Sequence, residues 1–250
     1  MPATDRILAV PPLDLLASAS LFFDFDGTLV DLVDRPDAVR ADPELRALLA
    51  RLTHMLPGRV AIVSGRSIAQ LDAMLGKGVE GITLAGSHGA EFRDDGEELH
   101  TATSALGVIA AHMDAFAEIR PGVVVERKTL GVALHYRLVP EHGADALAAA
   151  GRLAADHGLV LQQGKMMAEV RVDGDKGRAV GALAAGASMA GFAPLVFGDD
   201  VTDEAGFAAA ARLGGAGVLV GERRETQAAY ALPDVAAVRS WIARALEHAP

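Results

Sequence analysis

The chain has 250 residues, of which 51% are hydrophobic and 22% charged, so it is globular in composition and not disordered. Its net charge of −10 argues against a nucleic-acid partner, and the lack of cysteine excludes disulfides, thiolate metal sites and cysteine nucleophiles. The length suits one large domain or two small ones.

The first part of the chain predicts a short helix that leads into a buried strand. The stretch LDLLASASLFF has small residues like those of a signal-peptide cleavage site, but Asp14 interrupts its apolar part. Cleavage there would fall just before Leu21, at the start of the predicted strand. No apolar run reaches the length of a membrane span. We therefore expect a soluble, cytoplasmic protein without a membrane partner.

Five short apolar runs, each bounded by Gly or Asp, predict buried parallel strands. In chain order they are LFF from Leu21, RVAIVS at 59–64, GITLAG near Ile82, APLVFG before Asp199 and GVLVG from Gly217. Helical patterns lie between them, as in PELRALLARLTHM, where Pro43 suits the first helical position. The alternation predicts an α/β fold with a doubly wound, Rossmann-like parallel sheet.

The segment from about Ser104 to Asp173 breaks this alternation. Its pattern predicts helix, strand, strand, helix, strand, strand, with hairpins in GVVVERKTLGVALHYRL and LVLQQGKMMAEVRV. Hairpins indicate an antiparallel sheet with helices on one face. We therefore predict an inserted α+β domain at 106–173, within a core domain formed by residues 1–105 and 174–250.

Two carboxylates end the first predicted strand in the stretch DFDG. Asp24 and Asp26 are two positions apart, so they face one side of the strand, at the edge where open α/β sheets bind ligands. Gly27 permits a sharp turn after them. Two buried carboxylates this close need a cation or a shared proton between them. The alternative interpretation is a surface loop with two solvated acids.

Three more stretches lead to the same edge of the predicted sheet. They contain a hydroxyl, two basic side chains and three acids: Ser64 and Arg66 in VSGR, Lys176 in GDKG, and Asp199, Asp200 and Asp203 in GDDVTDE. The first stretch precedes a predicted helix, whose N-terminal N–H groups attract anions. Together the four stretches favour a phosphate site over a solvated loop.

This order of residues resembles the haloacid-dehalogenase superfamily of phosphotransferases. The stretches DFDGTL, VSGR, LAGSHGAE, VERKTLGVALHYR, GKMMAEVRV, DKG and GDDVTDEAGF are together similar to trehalose-6-phosphate phosphatases. The resemblance implies a haloacid-dehalogenase core and an inserted cap domain whose sheet lies over the crevice. Two positions depart from the family pattern, since Asp31 and Val172 stand where the family has Pro.

The resemblance also implies a role for each core residue. Asp24 would be the nucleophile that forms an aspartyl-phosphate, and Asp26 would be the acid and then the base. Mg²⁺ would be held by Asp24, Asp199 and the backbone carbonyl of Asp26. Ser64 and Lys176 would bind the remaining phosphate oxygens, and Thr28, Arg66 and His88 would contact the substrate. Asp200 and Asp203 would orient the metal ligands or Lys176. A structural role for His88 is the alternative.

The predicted cap has polar residues at motif positions of the same family. These are Glu126, Lys128, Arg137 and Glu169, which the resemblance places on the sugar. Carboxylates and amines suit sugar hydroxyls, which both donate and accept hydrogen bonds. A solvated sheet face with incidental ion pairs is the alternative. The GERRET stretch around Arg223 is interpreted as a solvated loop.

The resemblance implies a Mg²⁺-dependent hydrolase that converts trehalose 6-phosphate to trehalose and phosphate in trehalose biosynthesis. Its partner would be this small-molecule substrate, and we favour a monomer. Three alternatives remain open: a phosphatase for another sugar phosphate such as sucrose 6-phosphate, a phosphohexomutase with the same chemistry, and a non-catalytic sugar-phosphate sensor.

Overall fold

The computed structural model describes residues 8–32, 39–76, 80–94, 97–100, 105–128, 130–164 and 166–248. In chain order the elements are α1 (Leu15–Ser18), β1 (Ala19–Phe23), α2 (Pro43–Met55), β2 (Val60–Val63), α3 (Ile68–Leu75), β3 (Thr83–Gly86), β4 (Glu91–Asp94), β5 (Glu97–His100), α4 (Ala105–Glu118), β6 (Val124–Lys128), β7 (Gly131–His135), α5 (Gly143–His157), β8 (Val160–Gly164), β9 (Met167–Arg171), α6 (Lys176–Ala184), β10 (Ala193–Gly198), α7 (Glu204–Arg212), β11 (Ala216–Val220), β12 (Tyr230–Leu232) and α8 (Val235–His248). The chain divides into a larger unit, Met1–Leu99 with Asp175–Pro250, and a smaller unit, His100–Gly174.

Eight strands form one sheet in the order β12-β11-β10-β1-β2-β3-β4-β5. The strands from β12 to β3 are parallel, whereas β4 runs antiparallel to β3. Because β1 lies between β10 and β2, the strand order reverses there, and open α/β sheets bind ligands at such a point. The five predicted parallel strands are present, which confirms the predicted fold class. Strands β4, β5 and β12 were not predicted.

Helices cover both faces of this sheet. On one face, Leu21 and Phe23 of β1 belong to a buried cluster with residues of α2, α3 and α8. On the other face, Phe22 packs with residues of α6 and α7. Since neither face of β1 meets solvent, the strand is buried at every position, and four of its five residues are apolar instead of alternating with polar ones. The strand is therefore rigidly anchored up to the residue before Asp24.

The predicted start of α2 at Pro43 is confirmed. Asp42 is its N-cap, and one carboxylate oxygen accepts the Leu45 N–H at 2.7 Å. The other oxygen pairs with Arg239 of α8 at 2.6 Å. Both hydrogen bonds lower the pKa of Asp42, and the bond from the Leu45 backbone has the larger effect. Asp42 thus joins two helices that lie on the same side of the sheet.

The smaller unit contains α4, β6, β7, α5, β8 and β9, the order that the sequence predicts. Its four strands form an antiparallel sheet in the order β6-β7-β9-β8. Residues of α4 and α5 pack with Val132, Leu134 and Val170 on one face. The opposite face carries the alternate side chains of each strand, among them Glu126, Lys128 and Glu169. The predicted limits of the inserted domain, 106 and 173, lie inside the unit.

The part of the chain that the structure describes contains no helix with the length and apolar character needed to cross a membrane.

Candidate active site

The carboxyl edge of the large sheet brings together residues that follow three neighbouring strands. Asp24 follows β1, and its N–H donates to the carbonyl of Phe197 on β10 at 2.9 Å. Ser64 follows β2, and its N–H donates to the carbonyl of Ala85 on β3 at 2.9 Å. Asp199 follows β10 directly. These backbone bonds extend the parallel ladders by one residue and fix where the site side chains begin.

Lys176 is the first residue of α6 and is only 5% exposed. Its Nζ lies 2.9 Å from Asp24 Oδ1 and 2.6 Å from Asp203 Oδ1. Burial alone would lower the pKa of Lys176, but attraction to Asp24 and Asp203 outweighs this, so the pKa is raised. The lysine therefore stays charged at the floor of the site.

Three acids gather around this lysine. One carboxylate oxygen each from Asp24, Asp199 and Asp203 lie within 4.8 Å of one another. Burial raises the pKa of Asp24 to about 7, because lost hydration outweighs the attraction of Lys176. Burial, and then repulsion from Asp203, also raises the pKa of Asp199. One lysine balances only one of three carboxylates, so this oxygen-rich set fits a divalent cation such as Mg²⁺.

Asp203 uses both of its carboxylate oxygens within the protein. Oδ1 accepts from Lys176, and Oδ2 accepts the backbone N–H of Asp200 at 3.0 Å. The Asp200 side chain turns to the backbone N–H of Val201 at 2.6 Å. Asp203 therefore orients Lys176 and closes the turn after β10, which leaves Asp24 and Asp199 as the acids with oxygens available to a cation.

Gly27 makes room for Asp199. It has a φ of 78°, and its N–H donates to the carbonyl of Val30 at 2.7 Å. A Cβ at Gly27 would lie 2.2 Å from Oδ2 of Asp199. The glycine of the DFDG stretch thus permits both the turn and the close approach of Asp199, the acid that follows β10.

Asp26 is held by an arginine from the next loop. Arg66 Nε lies 2.7 Å from Oδ2 of Asp26, and Nη2 lies 2.8 Å from Oδ1, which is a bidentate pair. The hydrogen bond to Asp26 raises the pKa of Arg66. The backbone N–H of Arg66 also donates to the Ser64 hydroxyl at 3.2 Å. The sequence predicts that Asp26 and Arg66 lie at the same edge of the sheet, but nothing in it indicates that the two side chains pair.

Two further predicted residues, Thr28 and His88, lie in the larger unit. Thr28 is fully buried, and within the described part of the chain its hydroxyl has no hydrogen-bond partner. His88 has a φ of 58°, and its ring packs against Gly65, where a Cβ would lie 2.6 Å from Cε1. His88 is therefore beside the loop that carries Ser64.

The polar face of the smaller unit holds three of the four predicted sugar-binding residues. Lys128 Nζ lies 2.6 Å from Oε2 of Glu169, which is 7% exposed. Glu126 Oε2 lies 2.7 Å from Nε2 of His135. Arg137 lies beyond the end of β7 and is exposed. His135 was missed, although the two-residue alternation of β7 places it on the face of Glu126.

The prediction of a solvated GERRET loop is wrong for Arg224. Its Nη2 donates to the backbone carbonyl of Asp200 at 2.7 Å, and its Nη1 pairs with Glu204. The other oxygen of Glu204 accepts the backbone N–H of Gln227 at 2.8 Å. Arg224 and Glu204 thus fasten the loop after β11 to the acidic turn after β10.

The model of the trehalose-phosphatase family matches residues 22–236. The chain belongs to the trehalose-phosphatase family. The trehalose-6-phosphate phosphatase of Escherichia coli strain K12 is 37% identical over 234 residues, covering 92% of this chain and 87% of that protein. The membership that the sequence motifs indicate is therefore confirmed.

Two solved structures show how far the fold is shared. The Aspergillus fumigatus trehalose-6-phosphate phosphatase is 26% identical in sequence and has a TM-score of 0.70. The match covers 97% of this chain and 100% of that chain. A haloacid dehalogenase-like hydrolase from Bacteroides thetaiotaomicron is 15% identical, with a TM-score of 0.65 over 90% of this chain and 98% of that one. The second likeness concerns the fold alone and confirms the haloacid-dehalogenase architecture.

The two departures from the trehalose-phosphatase pattern have different surroundings. Asp31 is exposed. Val172 is 7% exposed, and its N–H donates to the carbonyl of Leu130 at 2.9 Å, a bond that proline could not make. Valine at this position therefore gains a backbone hydrogen bond within the smaller unit.

Proposed function

We propose that this protein is a Mg²⁺-dependent phosphatase that converts trehalose 6-phosphate to trehalose and phosphate. The observation that carries the proposal is the charge cluster of Lys176 between Asp24 and Asp203, with Asp199 beside them. Such a cluster at the strand-order reversal suits phosphoryl transfer, in which catalysis consists largely of positioning and electrostatic stabilisation. The family and the name of its Escherichia coli relative point to the substrate.

Asp24 is the proposed nucleophile. One of its oxygens attacks phosphorus, the bond from phosphorus to the sugar oxygen breaks, and an aspartyl-phosphate remains. Asp26 donates a proton to the departing sugar oxygen. It then removes a proton from the water that attacks the aspartyl-phosphate, which releases phosphate and restores Asp24. The bidentate pair with Arg66 fixes the direction of the Asp26 side chain, but it occupies both carboxylate oxygens, so one of these bonds must break before Asp26 carries the proton.

Asp24, Asp199 and the backbone carbonyl of Asp26 would hold Mg²⁺, which supplies positive charge to the transferring phosphoryl group. Lys176 and Ser64 bind the remaining phosphate oxygens. We also assign Thr28 to the substrate, and its buried hydroxyl has no hydrogen-bond partner among the described residues. We assign Arg66 and His88 to the substrate-facing side of the Ser64 loop. Asp200 and Asp203 hold the turn and Lys176.

The smaller unit supplies the proposed sugar-binding groups, which are Glu126, Lys128, Glu169 and Arg137. The first three lie on one polar sheet face, and the ion pair of Lys128 with Glu169 presents a donor and an acceptor side by side. Sugar hydroxyls match such pairs. A cytoplasmic location, a monomeric state and the inserted-domain limits stay predictions.

The substrate proposal is tested by phosphate release from a set of sugar phosphates. We expect trehalose 6-phosphate to react about 100-fold or more faster, in kcat/KM, than glucose 6-phosphate or sucrose 6-phosphate. The reason is that a site built to bind the hydroxyls of one disaccharide leaves polar groups unpaired with another ligand. Equal rates on all three sugars would contradict the specificity. An isomer formed from a hexose phosphate and its bisphosphate activator would indicate a mutase instead.

A further inference from the structure

Glu91, the first residue of β4, is a buried acid with no part in the chemistry above. It is 2% exposed, and each of its carboxylate oxygens accepts a hydrogen bond. Oε2 accepts the backbone N–H of Ile68, the first residue of α3, at 2.7 Å. Oε1 accepts from the Ser87 hydroxyl at 2.9 Å. A buried carboxylate is costly unless it is satisfied in this way, so its position is strongly determined.

The turn between β3 and β4 is bound to the loop that carries Ser64. Ser87 and His88 have φ values of 49° and 58°, which few residues other than glycine adopt. The N–H of Ser87 donates to the carbonyl of Arg66 at 2.7 Å, and that of His88 donates to the carbonyl of Ser64 at 2.8 Å. Because of this left-handed backbone, the N–H groups of Ser87 and His88 point at backbone carbonyls of the loop at 64–67.

Gly86 lets the turn and this loop pack in direct contact. A Cβ at Gly86 would lie 2.7 Å from the Ile68 nitrogen, 2.9 Å from the Arg66 oxygen and 3.1 Å from Oε2 of Glu91. No side chain separates the two segments at this point. A shift of the Glu91 carboxylate would therefore be transmitted to the backbone of residues 66–68.

We propose that Glu91 is a positioning residue for phosphoryl transfer. Through Ile68 and Ser87 it fixes the loop at 64–67, and with it the Ser64 hydroxyl that binds phosphate and the Arg66 guanidinium that holds Asp26. The inference rests on the proposed function. The contacts around Glu91 are the basis of the inference. Glu91, the acid of the LAGSHGAE stretch, would position the loop at 64–67 and would not contact the substrate.

Two substitutions at Glu91 separate geometry from charge. Glu91→Ala removes both acceptors, so we expect kcat/KM for trehalose 6-phosphate to fall about 10- to 100-fold through misplacement of the loop. Glu91→Gln can keep both bonds, because its amide oxygen accepts from Ile68 and its amide nitrogen donates to the Ser87 oxygen. We expect Glu91→Gln to remain within about threefold of the wild type.

Met74→Ala is the matched control, since Met74 is 5% exposed and lies near the other end of α3. We expect it to lower the Tm without changing kcat/KM. Binding of inorganic phosphate in the presence of Mg²⁺, measured by calorimetry, gives a readout that needs no turnover. Glu91→Ala should weaken it about tenfold, whereas Met74→Ala and Glu91→Gln should not change it.

Three outcomes would overturn the positioning role. The first is that Glu91→Ala keeps the wild-type phosphate affinity and kcat/KM. The second is that Met74→Ala, at a similar Tm, loses as much phosphate affinity and kcat/KM as Glu91→Ala. The third is that Glu91→Gln loses as much of both as Glu91→Ala. If the wild type binds phosphate but does not hydrolyse trehalose 6-phosphate, the proposed function fails, and the phosphate affinities of the variants still decide the role of Glu91.

Discussion

Replacing Asp24 by Asn is expected to lower kcat for trehalose 6-phosphate by about 10⁴-fold or more, because an amide cannot form the aspartyl-phosphate. The fold should persist, since Asn has nearly the same shape and its oxygen can still accept from Lys176, which lies 2.9 Å from Oδ1. The measurement is kcat at saturating substrate and Mg²⁺, together with the Tm of each protein.

Asp156→Asn makes the same chemical change at an exposed position of α5 and serves as the control. Its kcat should stay within about threefold of the wild type, as for most surface substitutions. If Asp24→Asn kept a tenth of the wild-type kcat, Asp24 would not be the nucleophile.

Replacing Lys176 by Met is expected to damage both stability and catalysis. Asp24 and Asp203 would then be buried without their shared cation, and breaking a buried ion pair costs about 3–5 kcal/mol. The loss of a charge aimed at the phosphate should lower kcat/KM by about 10³-fold. Urea unfolding without added metal and steady-state kinetics with Mg²⁺ measure the two effects separately.

The double variant Lys176→Met with Asp203→Asn shows whether charge imbalance causes the loss of stability. Removing one of the two unpaired carboxylates should restore part of the free energy of unfolding but none of the activity. Wild-type stability in Lys176→Met alone would show that its ion pairs do not hold the site together.

The parallel core was predictable because burial on both faces leaves a simple pattern. Strand β2 is apolar throughout, and β1 is apolar except for Ser20. Each ends where a polar residue follows, so Asp24 and Ser64 were found as the residues after strands. β4 could not be found this way, because EFRD contains a single apolar residue. Its place in the sheet depends on antiparallel pairing with β3, which no local pattern shows.

The pairings inside the site were not predictable from spacing. Arg66 meets Asp26 across 40 positions, and Arg224 meets Glu204 across 20, so neither pair has a local signature. Glu91 stood in a stretch that the sequence singled out, but its burial and its two partners depend on the turn at Ser87 and His88. Motifs identify which residues matter, and the fold decides which of them act on substrate and which hold others in place.

The proposed Mg²⁺-dependent activity is tested most directly by the release of phosphate and trehalose from trehalose 6-phosphate as the Mg²⁺ concentration is varied. We expect equal amounts of the two products, at a rate that saturates with Mg²⁺, is abolished by a chelator and returns when Mg²⁺ is restored. A full rate in the presence of chelator, or no trehalose at any Mg²⁺ concentration, would contradict it.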